Sequence, residues 1–234
     1  MNVLHFEAPA PGGSGTPRAG EPGYRPAPEP MVNAPWPVVA VTLGIVAAYA
    51  VQSRFDLQQV EQAFAFSPPQ LLGGHPERLV SSMFVHGNWS HALMNAGFCL
   101  AFGAPVARLL GRGAGGAAAY FLFFLTTGIV ATLGFAAVHW GQGVSVIGAS
   151  GAASGLMGGA ARIIGGQGRV GRMFSPAVLQ MGAAWVVINL IMAVSGSLLV
   201  PGGGDALVGW EAHLAGFAAG VLLIGPFAWL AGRR

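Results

Sequence analysis

From residue 37 onward the chain alternates long apolar runs with short polar breaks. The runs cover about residues 37–52, 83–104, 117–140, 150–164, 177–195 and 211–230, on the scale of the roughly 20 residues that cross the hydrocarbon core of a bilayer. Each predicts a membrane helix. The second and fourth runs are the least hydrophobic, carrying His, Asn, Ser and many Gly, and are expected inside the bundle, shielded from lipid by the others. Residues 1–36 differ in kind: Pro, Gly and Ala dominate, interrupted by Glu7, Arg18, Glu21, Arg25 and Glu29, with no apolar period. Such a stretch cannot bury enough apolar surface to offset its ordering entropy, which predicts a disordered tail. It lacks the basic patch and apolar run of a secretory signal.

Composition agrees with a single polytopic domain over 37–234. The 234 residues are 53% hydrophobic and 8% charged, against about a quarter charged in soluble domains. All basic residues are arginines, and their placement orients the helices. With the N-terminus inside, the inner segments hold Arg18, Arg25, Arg108, Arg112, Arg162, Arg169, Arg172, Arg233 and Arg234, and the outer ones only Arg54 and Arg78. This bias follows the positive-inside rule and predicts that both termini are cytoplasmic. No basic cluster is interleaved with aromatics, so the net charge of +3 does not point to a nucleic-acid partner. The single cysteine, Cys99, lies within an apolar run and cannot form an intramolecular disulfide.

On this topology the fourth and sixth helices enter from the same, outer face. The fourth opens with Gly148-Ala149-Ser150-Gly151 and the sixth with Ala212-His213-Leu214-Ala215-Gly216, so a hydroxyl and an imidazole lie at similar shallow depth. Polar groups in a membrane are expensive and tend to be functional. Gly151, Gly155 and Gly159 recur along one face, as do Ala212, Gly216 and Gly220. Small faces of this kind let helices approach closely in lipid. They also occur in bundles without catalytic function, but here Ser150 and His213 each adjoin such a face. A serine becomes a nucleophile when a base takes its proton, and imidazole titrates in the right range. No acid is placed to orient that imidazole, because Glu211 would point elsewhere on a helix, so a dyad is expected. A helix start at Ser150 adds N–H groups and a dipole that favour a developing oxyanion.

The second run carries His86, Asn88, His91 and Asn95. His91 and Asn95 are four apart, share one helical face and can both donate hydrogen bonds to an oxyanion; the same groups could instead bridge helices. His86 falls in the loop or first turn. A metal site is disfavoured: there is no His-Glu-x-x-His, no carboxylate accompanies His86 and His91, and Asp56 and Asp205 fall in loops. No cofactor is expected. His139, beside Trp140 at an outer helix end, reads as interfacial, and His5 and His75 have no visible partners. Water has to reach a Ser150–His213 pair, so a polar cavity is expected between the second, fourth and sixth helices.

Taken together, His86-x4-His91-x3-Asn95, Gly148-x-Ser150-Gly151 and Ala212-His213-x2-Gly216-x3-Gly220, in this order and on these helices, resemble the rhomboid intramembrane serine proteases of the bacterial six-helix type, over about residues 37–230. The resemblance implies an all-α bundle of six transmembrane helices, with Ser150 as nucleophile and His213 as general base. It implies an oxyanion hole formed by His91, Asn95 and the Ser150 backbone N–H, with structural support from His86, Arg78, Gly148, Gly151 and Gly216. Residues 53–82 correspond to the family's first loop, where Glu77 stands in the place of a tryptophan before Arg78, and the fifth helix corresponds to a lateral gate. The implied substrates are transmembrane segments of other membrane proteins, cut near the outer face, with the lipid bilayer as the other partner. Arg-rich, lysine-free usage suggests a bacterial inner membrane with the site open to the periplasm or exterior. The main alternative is a catalytically inactive rhomboid-like protein that binds membrane clients. A transporter is a weaker one, since no inverted repeat or Pro-broken helix pair is visible.

Overall fold

A computed structural model of the protein describes residues 34–195 and 209–233. The tail expected over 1–36 lies, up to residue 33, outside the described residues, as do Arg18, Arg25, Asp205 and Arg234. The described residues form helices and no strand, apart from one isolated antiparallel bridge between Phe66 and Val146.

All six apolar runs are helical. They become α1 (Trp36–Gln52), α5 (Trp89–Leu110), α6 (Gly113–Val138), α7 (Ser150–Gly165), α8 (Pro176–Ser195) and α9 (Trp210–Leu230). Four of them, α5, α6, α8 and α9, are long and apolar enough to cross a membrane, and α1, with 17 residues, is a shorter apolar helix. Trp36, placed in the tail by composition, is already the first residue of α1, with Pro37 in the first turn, where a missing N–H is not needed.

The largest boundary shift is in the second run. Hydropathy starts it near residue 83, but residues Ser82–Phe84 form a 3-10 turn and α5 begins only at Trp89. The reason is the cap: the Asn88 side chain accepts a hydrogen bond from the His91 backbone N–H at 2.8 Å, which satisfies an otherwise unpaired first-turn donor. The loop over 53–82 contains three short helices that apolar runs do not reveal: α2 (Leu57–Phe64), α3 (Pro68–Leu72) and α4 (Arg78–Ser81). Local capping starts the first two. Asp56 accepts from the Gln59 N–H at 3.1 Å, and Ser67 with Gln70 forms a capping box.

The helix α7 is the hub of the bundle, with residues 151–163 all buried and α5, α6, α8 and α9 packed around it. It runs antiparallel to α6: β-carbons at Gly151, Gly155 and Gly159 would meet Ala131, Thr127 and Phe123 in turn. It runs parallel to α9: β-carbons at Gly216 and Gly220 would collide with the carbonyl oxygens of Gly151 and Gly155, and one at Gly158 with that of Phe217. The expected close fourth–sixth contact is present, built differently from the expected matching of two glycine faces. The α9 glycines press onto the α7 backbone, while the Gly151, Gly155 and Gly159 face of α7 is turned to α6. One interior helix can be ringed by the others, and α7 fills that place. The second run was expected inside as well, but Leu93, Met94 and Leu100 of α5 are exposed.

Valine at Gly220 has to displace the α7 backbone, an overpacking cost of about 1–3 kcal/mol or more. Thermal unfolding in detergent is expected to show a clearly lowered midpoint for Gly220→Val. Gly97→Ala, with nothing within 4 Å of the added carbon, should not lower it.

Candidate active site

The segment before α7 is held in place before it reaches Ser150. The Phe66 N–H donates to the Val146 carbonyl at 3.2 Å, the Val146 N–H donates back to Phe66 at 2.8 Å, and the Gly148 N–H donates to the Ser82 carbonyl at 2.9 Å. Gly148 has φ +105°, in the left-handed region, and a β-carbon there would lie 2.7 Å from His91 Nε2 and 3.2 Å from Asn95 Nδ2. A glycine is therefore required twice over, by conformation and by contact. It lets the backbone two residues before Ser150 rest on the His91–Asn95 face of α5.

Ser150 is the first residue of α7 and half-buried. Its carbonyl accepts from Ser154 Oγ at 2.7 Å. The N-cap position is Ala149, which has no side-chain oxygen, so the first-turn N–H groups carry no side-chain cap. On α5, the Gly87 N–H is directed at His91 Nδ1 at a long 3.5 Å. With Nδ1 accepting, the hydrogen of a neutral ring sits on Nε2, the nitrogen nearest Gly148. Asn95 is buried, and its Nδ2 has no hydrogen-bond partner among the described residues.

The supporting residues fall behind these. His86 is fully buried. The Gln52 side chain of α1 clamps its backbone, donating to its carbonyl at 2.5 Å and accepting from its N–H at 3.0 Å. The His86 ring stands edge-on to His91 at 5.0 Å and to Tyr49 at 6.4 Å. Arg78 acts within the first loop, donating from Nη1 to the carbonyls of Gln62 at 2.8 Å and Ala65 at 3.2 Å, which ties down the end of α2. Gly151 and Gly216 meet at the α7–α9 contact.

His213, in the first turn of α9, is buried. The parallel packing of α7 and α9 brings it to the same helix mouth as Ser150. Its Nδ1 is 2.7 Å from Asn189 Oδ1 of α8, and its ring lies 5.7 Å from Trp185. Neither residue was singled out by sequence, because both sit in an apolar run without a local motif. The available signal was the asparagine itself, a polar group in mid-span. Glu211 does point away, as expected. Its carboxylate meets His139 Nε2 at 2.9 Å, while His139 Nδ1 meets Gln142 Oε1 at 3.0 Å. His139 is thus a link between the end of α6 and the start of α9.

A cavity of about 10 Å³ borders Ser150, lined also by Ser82, Thr132, Gly148 and Ala212, which is the scale of one water molecule. It lies toward α6. None of its lining residues comes from α5, so it is not the cavity expected between α5, α7 and α9. Among the described residues no three His, Cys, Asp or Glu side chains are grouped to hold a metal ion.

An all-helical membrane domain thus brings a serine, a buried histidine and two further polar side chains to one mouth of its central helices. A family model described as Rhomboid domain matches residues 73–229, from the end of α3 to the end of α9, and the chain belongs to the rhomboid family. That family consists generally of intramembrane serine proteases. No curated protein matches the chain.

The His139 link has a pH signature. Its bond to Gln142 and its pairing with Glu211 together outweigh burial and raise its pKa above the ordinary 6.5. A folded-state value above the unfolded one means that this contact stabilises fully below about pH 6.5 and loses its effect as pH rises through the folded value. The thermal midpoint is expected to fall between pH 6 and pH 8.5, and His139→Gln should flatten that fall.

Proposed function

We propose that the protein is an intramembrane serine endopeptidase that cuts other membrane proteins in or near their transmembrane segments. In this reading Ser150 Oγ attacks the scissile carbonyl carbon while His213 Nε2 takes its proton. The tetrahedral oxyanion accepts hydrogen bonds from His91, Asn95 and the Ser150 backbone N–H. Collapse breaks the C–N bond, His213 returns the proton to the leaving amine, and water then hydrolyses the acyl-serine with His213 again as base. Neither a cofactor nor a metal enters any step.

The observation that carries the reading is the glycine-mediated parallel contact of α7 and α9, which sets Ser150 and His213 at one mouth while Gly148 rests on His91 and Asn95. The unpartnered, buried Asn95 Nδ2 supports it further, since a buried donor without a partner is costly and an oxyanion would satisfy it. All six apolar helices cross the membrane in this reading. The 16 residues of α7 span only about 24 Å at 1.5 Å per residue, short of the roughly 30 Å hydrocarbon core, so a Ser150 at its outer end is submerged. The arginine bias supports cytoplasmic termini, and hence an active site that opens to the periplasmic or extracellular side of a bacterial inner membrane.

Purified Ser150→Ala and His213→Ala proteins are expected to lose cleavage of a model transmembrane substrate by at least about a thousandfold. His91→Ala and Asn95→Ala should each lose about 10²–10³ in kcat. Cleavage at the wild-type rate by Ser150→Ala sinks the proposal. Binding of the substrate by wild-type protein without any cleavage would favour a client-binding relative.

A further inference from the structure

Both ends of the Asn189 amide are engaged, and together they determine the state of His213. Nδ2 lies 2.8 Å from the Trp185 carbonyl oxygen. A carbonyl only accepts, so the NH2 end of the amide faces Trp185 and the oxygen faces His213. That oxygen, 2.7 Å from His213 Nδ1, also only accepts, so Nδ1 carries the hydrogen. The free lone pair of the neutral ring is then on Nε2, the form in which a histidine serves as base to a serine. Asn189 is 1% exposed, so no solvent competes for either bond, and the Trp185 ring bounds the imidazole at a centroid distance of 5.7 Å.

The helix that supplies this asparagine is the most lightly held of the long helices. In its most apolar window α8 is 17% buried, against 39% for α9 and 44% for α6, and it packs chiefly on α7 and α9. Its described buried residues are Val178, Trp185 and Asn189, a single stripe whose polar member holds His213.

We propose that Asn189 is the positioning residue of the base, holding His213 in its Nδ1–H tautomer from α8 and thereby making the readiness of the base depend on the docking of that helix. The inference rests on the Ser150–His213 reading above. It adds to the Ser150–His213 dyad a neutral orienting residue that comes from a neighbouring helix. A neutral carbonyl dipole orients the ring without adding a buried charge, which would be expensive in the membrane interior.

The test uses the full-length protein in detergent or liposomes, with a transmembrane substrate and a fluorophosphonate probe for Ser150. Asn189→Leu should lower kcat by about 10–10²-fold, the scale of misorienting a catalytic group, with KM changed less than about twofold. Probe labelling of Ser150 should slow by the same factor. Asn189→Gln keeps a neutral amide oxygen that can accept from Nδ1–H and should recover part of the loss, whereas a merely structural role predicts no recovery. Labelling of Asn189→Leu at the wild-type rate overturns the proposal. So do equal losses in the two variants, or a fall in thermal midpoint that accounts for the lost activity. Retention of cleavage by Ser150→Ala or His213→Ala would instead overturn the underlying function, which keeps the two failures distinct.

Discussion

The structure depends on how closely α9 lies on α7. Lipid is as apolar as the side chains it surrounds, so helices in a bilayer associate by packing and internal hydrogen bonds. Here the approach is limited only by backbone, because Gly216 and Gly220 lie directly on the carbonyls of Gly151 and Gly155. The register of that contact is also the register of the candidate site. One residue before Gly151 is Ser150, and one turn before Gly216 is His213. The opposite end of the pair is clamped differently: Arg162 of α7 donates to the Val221 carbonyl of α9 at 2.9 Å and to the Gly171 carbonyl at 2.8 and 3.0 Å. Glycine contacts at one end and a buried guanidinium at the other keep the two helices parallel along their length.

Around this pair the polar groups are distributed according to what can satisfy them. His86 is held by its backbone through Gln52, Arg78 by loop carbonyls, and Asn189 at both ends of its amide. Asn95 Nδ2, like both His86 ring nitrogens and Arg78 Nε, is a buried polar atom with no partner among the described residues. In a dry interior that is a destabilising arrangement, and for Asn95 it is found two residues from the candidate nucleophile across the Gly148 contact. The supporting residues are thus held through their backbone or a single side-chain donor, and of these unsatisfied atoms Asn95 Nδ2 is the one set against the Gly148 turn that leads to the serine.

Much of this was legible in the chain. The six helices follow from hydropathy, and the three motifs around His91, Ser150 and His213 converge as their positions imply. What misled was information that hydropathy does not carry. The start of α5 is set by the Asn88 cap, and α2 and α3 by the caps at Asp56 and Ser67, all of which act through one or two local hydrogen bonds. The α7 glycines indicate close packing in sequence but do not say against which helix, and their face is turned to α6.

Apolar run length, arginine placement and residue chemistry are properties of the one-dimensional chain, so the sequence by itself determined the helices, the family motifs and the kinds of group available at the site. Partner choice is a different matter, because it depends on which faces meet. That Glu211 pairs with His139, that His213 takes Asn189 of α8, and that Gly148 is the surface on which His91 and Asn95 rest were decided only by tertiary structure. Each is a contact of a few ångströms between residues up to 72 positions apart, and no local pattern encodes such a contact.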